Sequence, residues 1–374
     1  MAAKVWCGLD TMHWKDNWEE AREHFARWWA RDGLVVVPYV PPGIGPARPT
    51  RDPVAREPGP PRNAEARHAD PGHVTAASHY WLATGTLALD ALPIGRVDLG
   101  PGSLALYLGS EPEFSDDTVW FKPLANQADL ERPLRFDPAN HWWRRQLALV
   151  DAALACSAGR YPIGFPDLVE NLDVLASLRD TQAVMVDLVE RPAWVKQRIA
   201  EINRAYFEVY DLLRARLAAP DGACAFWAFH LWGPGRTAKV QCDALAMISP
   251  AMFDEFVRPA LAEQCEWLDH AMFHLDGTQA VPHLASLLAI PGLDAIEFTP
   301  QAGVESGGHE RWWPLYRRIL AAGKSVQVVA VKPAEVAPLL DAIGTRGVYL
   351  HVDGITDTAT LRELETLVRR RYPR

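Results

Sequence analysis

The chain has 374 residues, 49% hydrophobic and 23% charged, with a formal net charge of -9. That balance fits a folded, soluble enzyme and excludes a disordered chain. The acidic balance, with no basic face to offset it, argues against a nucleic-acid partner. No run reaches the roughly 18 uninterrupted apolar residues of a membrane span, and MAAKVWCGLD does not read as a secretory leader. Five cysteines (Cys7, Cys156, Cys224, Cys242, Cys265) without a CxxC pair fit a reducing cytoplasm rather than a disulfide framework.

In chain order, Leu34–Val40 (LVVVPYV) reads as a β-branched strand closed by Pro41-Pro42. Pro41–Val74 is rich in Pro, Gly, Arg and Asp and reads as a long loop. Gly95–Gly102 is a short strand whose Gly-rich turn leads to a helix near Ser103, with Ser103 as its expected cap. Asp117–Leu124 reads as an extra strand in an inserted hairpin, and Tyr161–Leu168 as a further strand. Pro192–Leu217 has the pattern of one long amphipathic helix, and Ala223–Trp232 follows it as a strand. The last four strands are Ala271–Asp276, Leu293–Pro300, Ser325–Val331 and Gly347–Asp353. Helical patterns separate these four, with prolines in first turns and glycines past the ends.

Without the hairpin strand these are eight strands, mostly near-continuous apolar runs as in buried parallel sheets. The expected fold is α/β: a single (β/α)8 TIM barrel over residues 1–374, with an N-terminal extension and an inserted hairpin. No GxGxxG follows an early strand, which weakens an open dinucleotide-binding sheet.

Chemistry in such a barrel sits at the carboxyl ends of its strands. Those ends carry Asp167, His230 and Trp232, His274 and Asp276, Glu297, and His351 and Asp353. Residues i and i+2 on a strand share a face, so His274 and Asp276 converge on one spot. Imidazole and carboxylate suit a divalent metal, and His351-Val352-Asp353 repeats the spacing, so the two pairs would close one site. The alternative is that Asp276 orients His274 or caps a helix beginning near Thr278. Glu297, in the apolar run AIEFT, requires a polar partner, since a lone buried carboxylate is costly. His230 and Asp243 are the nearby acid or base, although His230 also reads as a satisfied core histidine. Cys242 is a candidate thiolate ligand, and His283 reads as a packing residue. Trp120, Trp227 and Trp232 are candidate walls of a pocket for a flat small-molecule substrate. Paired tryptophans on helices offer a homodimer face.

The run ISPAMFDEFVRPALAEQCEWLD, then FHLDG, then HLASLLAIPGLDAIEFTPQAG, resembles the uroporphyrinogen decarboxylase-like superfamily, which also holds the cobalamin-dependent methyltransferases. The similarity extends to GPGSLALYLGSEPEF and GRYPIGFPDLVENLDVLASLRDT and covers most of the chain. It implies a (β/α)8 barrel. The corrinoid methyltransferase branch holds zinc with a His-x-Cys pair and a later cysteine, and the metal activates a thiol acceptor. Here His274 is retained, whereas Asp276 and the run LHVDG (Leu350–Gly354) stand where the cysteines would be. An oxygen/nitrogen site of this kind suits zinc, manganese or iron. The decarboxylase branch carries an N-terminal Arg-rich motif that VWCGLDTMHWKDNWEEAR (Val5–Arg22) lacks. The expected function is therefore metal-assisted methyl transfer, with zinc as the metal and with a thiol or a corrinoid supplied by a partner protein. The alternatives are metal-free decarboxylation of a carboxylated aromatic or tetrapyrrole-like compound, with Asp167, Asp276 or Asp243 stabilising a developing cation, and a non-catalytic corrinoid or metabolite binder.

Overall fold

The computed structural model describes residues 14–45 and 50–372. Cys7 and the start of Val5–Arg22 lie outside the described residues. The strands are β1 (Leu34–Pro38), β2 (Glu111–Phe114), β3 (Val119–Lys122), β4 (Cys224–Phe226), β5 (Leu231–Gly233), β6 (Thr237–Gln241), β7 (His270–Asp276), β8 (Ala295–Thr299), β9 (Ser325–Val331) and β10 (Val348–Val352). Six of them form one all-parallel sheet in the order β1-β10-β9-β8-β7-β6. Helices separate consecutive strands from β6 to β10, as parallel connections require. The fold is thus α/β with a parallel sheet. Among the described residues no helix is long and apolar enough to cross a membrane.

The strands of the sheet present two distinct faces. Val36, Leu350, Val328, Phe298, Leu275 and Val240 share one face and are all buried. Phe298 shows where that face points, because its ring packs on Trp312 and Tyr316 of the following helix at 5.0 and 6.2 Å. The other face carries a row at one register: Tyr349 beside Gln327, Glu297, His274 and Gln241, on five adjacent strands. This polar row forms the floor of the site.

Several expectations change. Ala223–Trp232 is not one strand but the antiparallel β4–β5 hairpin, with a turn at Ala228–His230. Phe229 and His230 both take left-handed φ, 60° and 52°, and two such residues in a row cannot continue a strand. The sheet strand beside β7 is β6 instead, TAKVQ, a segment expected to be loop. Its polar Thr237, Lys239 and Gln241 hide it from a search for apolar runs. Gly95–Gly102 and Tyr161–Leu168 form no ladder: isolated parallel bridges join Gly95 to Ile163 and Phe165 to Phe226 of β4, and the Gly102 amide donates to the Asp167 carbonyl at 3.0 Å. Pro101, Pro162 and Pro166 remove ladder donors there. The helix at Ser103–Tyr107 is preceded by Gly102 at φ 109°, and Ser103 donates to the Asp167 carbonyl at 3.2 Å rather than capping. The Pro41–Val74 loop is shorter than expected, since helices start at Ala64, capped by Asn63, and at Pro71, capped by Asp70.

The β2–β3 hairpin and the helix Pro192–Leu217 stand as expected. The bridged segments are tightly packed: a Cβ on Gly164 would lie 2.7 Å from the Trp227 amide nitrogen and 2.8 Å from Ile94. Gly164→Ala is expected to lower stability by about 1–3 kcal/mol in chemical denaturation, the usual cost of overpacking. An unchanged midpoint would mean that Trp227 does not pack there.

Candidate functional site

His274 rises from β7 beside Glu297 on β8, and its Nδ1 is hydrogen-bonded to the Glu297 carboxylate. Thr299 donates to the second Glu297 oxygen at 2.7 Å. The partner that a buried Glu297 demands is thus His274. Burial alone would push His274 below its ordinary pKa, but the Glu297 charge and hydrogen bond outweigh it and the net shift is upward. With Nδ1 engaged, Nε2 remains for a ligand. One donor atom each from Asp243, His274 and Asp276 lie within 4.8 Å of one another. Gly277, at φ 76°, turns the chain away directly after Asp276.

Asp243 follows β6, the neighbour of β7 in the sheet. Gln241 Nε2 donates to its carboxylate at 2.8 Å. Asp173 holds the turn by accepting the amides of Asp243 and Ala244 at 2.7 and 2.9 Å. The donor set is one imidazole nitrogen and two carboxylate oxygens, backed by a carboxylate on the far side of the histidine. That chemistry fits a divalent metal and its outer shell.

His351 and Asp353 do not join this group. Their atoms pair with each other at 3.4 Å. β10 lies three strands from β7 in the sheet order, about 14 Å along the sheet at roughly 4.8 Å per strand. The pairing with β9 also slips between Leu350 and Val352, where Ala330 is left-handed. Strand order separates the two His-x-Asp pairs, and the third donor beside His274 and Asp276 is Asp243, expected as an acid or base.

His230 does not suit a general base, because its Nε2 accepts the Leu92 amide at 2.7 Å. Burial, followed by the His351 and Lys15 charges, lowers its pKa to about 3, so the ring is neutral and protonated on Nδ1 at neutral pH. Asp167 is held by Lys239, a fully buried ammonium, at 2.7 Å. Of the three tryptophans only Trp227 lines the cavity above the site. Trp120 is 67% exposed on the hairpin, and Trp232 is buried beside Phe25 and Arg22. Cys242 is buried, which pushes its thiol well up, and it is not part of the metal-type group. His283 packs on Phe253, as expected.

The cavity measures about 870 Å³ and reaches His274, Asp243 and Asp167. Lys239, Asp98 and Arg96 were not singled out from the sequence. The available signal was a charge alternating with apolar residues in short runs, Arg96-Val97-Asp98 and Lys239-Val240-Gln241. Asp98 is buried in the cavity wall and accepts the Asp167 amide at 3.3 Å. Burial, against the opposing charge of Arg96, raises its pKa from 3.8 to about 6. Because the folded state holds this proton more tightly than the unfolded chain, stability is lost as pH rises through that interval. Asp98→Asn is therefore expected to leave stability unchanged near pH 3 and to raise it by up to about 3 kcal/mol at pH 8. Urea melts across that range check it, and a pH-independent difference would contradict it.

No family model and no curated protein matches the chain. Among solved structures it is similar to a methyltransferase from Methanosarcina mazei, with a TM-score of 0.55 at 12% identity. The match covers 93% of this chain and 97% of that one. At such low identity the likeness establishes a methyltransferase-like fold and nothing finer.

Proposed function

We propose that this chain is a metal-assisted methyltransferase of the uroporphyrinogen decarboxylase-like superfamily, built on a closed (β/α)8 barrel. The bridged runs Gly95–Gly102 and Tyr161–Leu168 would complete the ring between β1 and β6. Parallel contacts at Gly95, Ile163, Phe165 and Phe226 support that closure, as do the Gln241 amide donating to the Glu170 carboxylate at 2.5 Å and the Asn171 amide group donating to the Gln241 carbonyl at 2.9 Å. The methyl-transfer reading draws on the sequence resemblance and on the methyltransferase neighbour, and both speak at the level of fold.

The observation that carries the metal is the convergence of Asp243, His274 and Asp276 within 4.8 Å, with Glu297 behind the imidazole. Zinc is the first candidate. Bound there, the metal supplies Lewis-acid activation of the acceptor. The chain's own residues do the remaining work. Glu297 fixes the tautomer and ring orientation of His274, and Gln241 aims Asp243. The Phe229 ring, 4.6 Å from His274, shields one side from water. Neutral His230 offers a hydrogen-bond donor at Nδ1 rather than a base. A cavity of about 870 Å³ suits a small acceptor, with the corrinoid presented by a partner protein.

One observation favours a second reading, metal-free decarboxylation. Asp98 lines the cavity with a raised pKa, so it can hold a proton for an electron-rich carbon near neutral pH. Elemental analysis separates the two. About one metal per chain is expected in the wild type and none in His274→Ala, and Glu297→Gln should weaken metal binding about 10–100-fold. With the metal present, methylcobalamin should demethylate in a metal- and thiol-dependent absorbance assay. A metal-free wild type that releases carbon dioxide from pyrrole or aryl carboxylates would replace the first reading with the second.

A further inference from the structure

The cavity has a second chemical pole. The chain after Gly95 places Arg96 in its wall, with the guanidinium 4.4 Å over the ring of Trp227. The Arg96 amide donates to Ser78 Oγ at 3.0 Å, so the backbone is pinned. The side chain is not satisfied in the same way. Its Nε is buried without a hydrogen-bond partner, and among the described residues no carboxylate lies within ion-pairing distance. The other cations near the site are already committed. Lys239 is paired with Asp167, and Arg67 sits 3.7 Å from the exposed Asp116. His68 gives its Nε2–H to the Ser115 carbonyl at 2.9 Å. Asp98 is two residues on, but its carboxylate is used by the Asp167 amide.

A half-buried guanidinium with no carboxylate in contact gains from a bound anion, even with the Asp98 charge nearby. The indole packs on the guanidinium carbon, and none of the Arg96 side-chain N–H groups has a protein acceptor, so they remain for a carboxylate or phosphate, which a guanidinium takes with two parallel bonds. Aromatic walls continue from this point. Trp81, stacked with Tyr39 at 6.4 Å, and Phe229 all line the same cavity.

We propose that Arg96 is the anion-binding residue of this cavity: its ligand is a flat molecule bearing a carboxylate or phosphate, gripped by Arg96 over Trp227. The uncharged reactive end then points toward Asp243 and His274. This assignment rests on the cavity being the substrate site, and it is independent of the metal.

The test is calorimetric titration of the full chain with benzoate, phenyl phosphate and the neutral isostere benzamide. At least one anion should bind the wild type more tightly than benzamide, and the tighter of the two decides between carboxylate and phosphate. Arg96→Gln should weaken that anion by about tenfold or more and leave benzamide unchanged, while Arg96→Lys recovers only part of the loss. The wild type titrated with a chelator present should bind the anion as before, so loss of the metal reading would leave this result intact. Circular dichroism confirms that each variant is folded, and Arg96→Lys carries the comparison if Arg96→Gln is not. Failure of both anions to bind the wild type at millimolar concentration, or equal anion affinity without the Arg96 charge, would overturn the assignment.

Discussion

The structure depends on a buried row of polar side chains crossing five adjacent strands: Gln241, His274, Glu297, Gln327 and Tyr349. Polar groups in such a place must find partners, because each unpaired one forfeits its hydration without return. His274 and Glu297 satisfy each other, and Gln241 reaches Asp243. Gln327 and Tyr349, adjacent in the row, also bond upward out of it. Gln327 donates to the Phe229 carbonyl at 2.8 Å, and Tyr349 donates to the His230 carbonyl at 2.9 Å. These bonds hold the turn between β4 and β5 in its left-handed conformation, which costs about 1–3 kcal/mol per residue. The same turn brings Phe229 over His274 and Trp227 under Arg96. One set of hydrogen-bond obligations therefore builds the floor of the cavity and positions its wall.

Charge is divided along this cavity. The floor is acidic, with Asp243, Asp276 and Glu297 gathered around one imidazole. Lys239 would relieve that repulsion, but its ammonium is drawn to Asp167 and Glu170, which keep it charged against the cost of burial. An acidic floor with its nearest cation already paired favours an added positive charge, and this is the physical case for a metal. The opposite pole, at Arg96, favours an anion. A ligand spanning both would be oriented by charge before any shape-specific contact is made.

The legible part of the site lies where a polar residue interrupts an apolar strand. His274, Asp276 and Glu297 stand out in AMFHLD and AIEFT, and burial makes any such residue costly unless it is paired. His351 and Asp353 stood out for the same reason and were misplaced. Spacing along a chain fixes which side chains share a face, but it carries no information on which strands are neighbours. Asp243 reads from the sequence as an acid or base in a loop, because the polar residues of TAKVQ conceal the sheet strand that sets it beside His274. Trp120 and Trp232 show the limit for aromatics: a large ring packs equally well in a pocket, on a hairpin or in the core.

By itself the sequence determined the α/β class, the strands β1 and β7 to β10, the long helix Pro192–Leu217, the inserted hairpin, and the His274–Asp276 pair. These follow from local periodicity and capping, which act over a few residues. Tertiary structure alone decided the sheet order, the β4–β5 hairpin, the placing of Asp243 rather than His351 beside His274, and the packing of Arg96 on Trp227. Those depend on which distant segments meet, and on which buried charges find or lack a partner once they do.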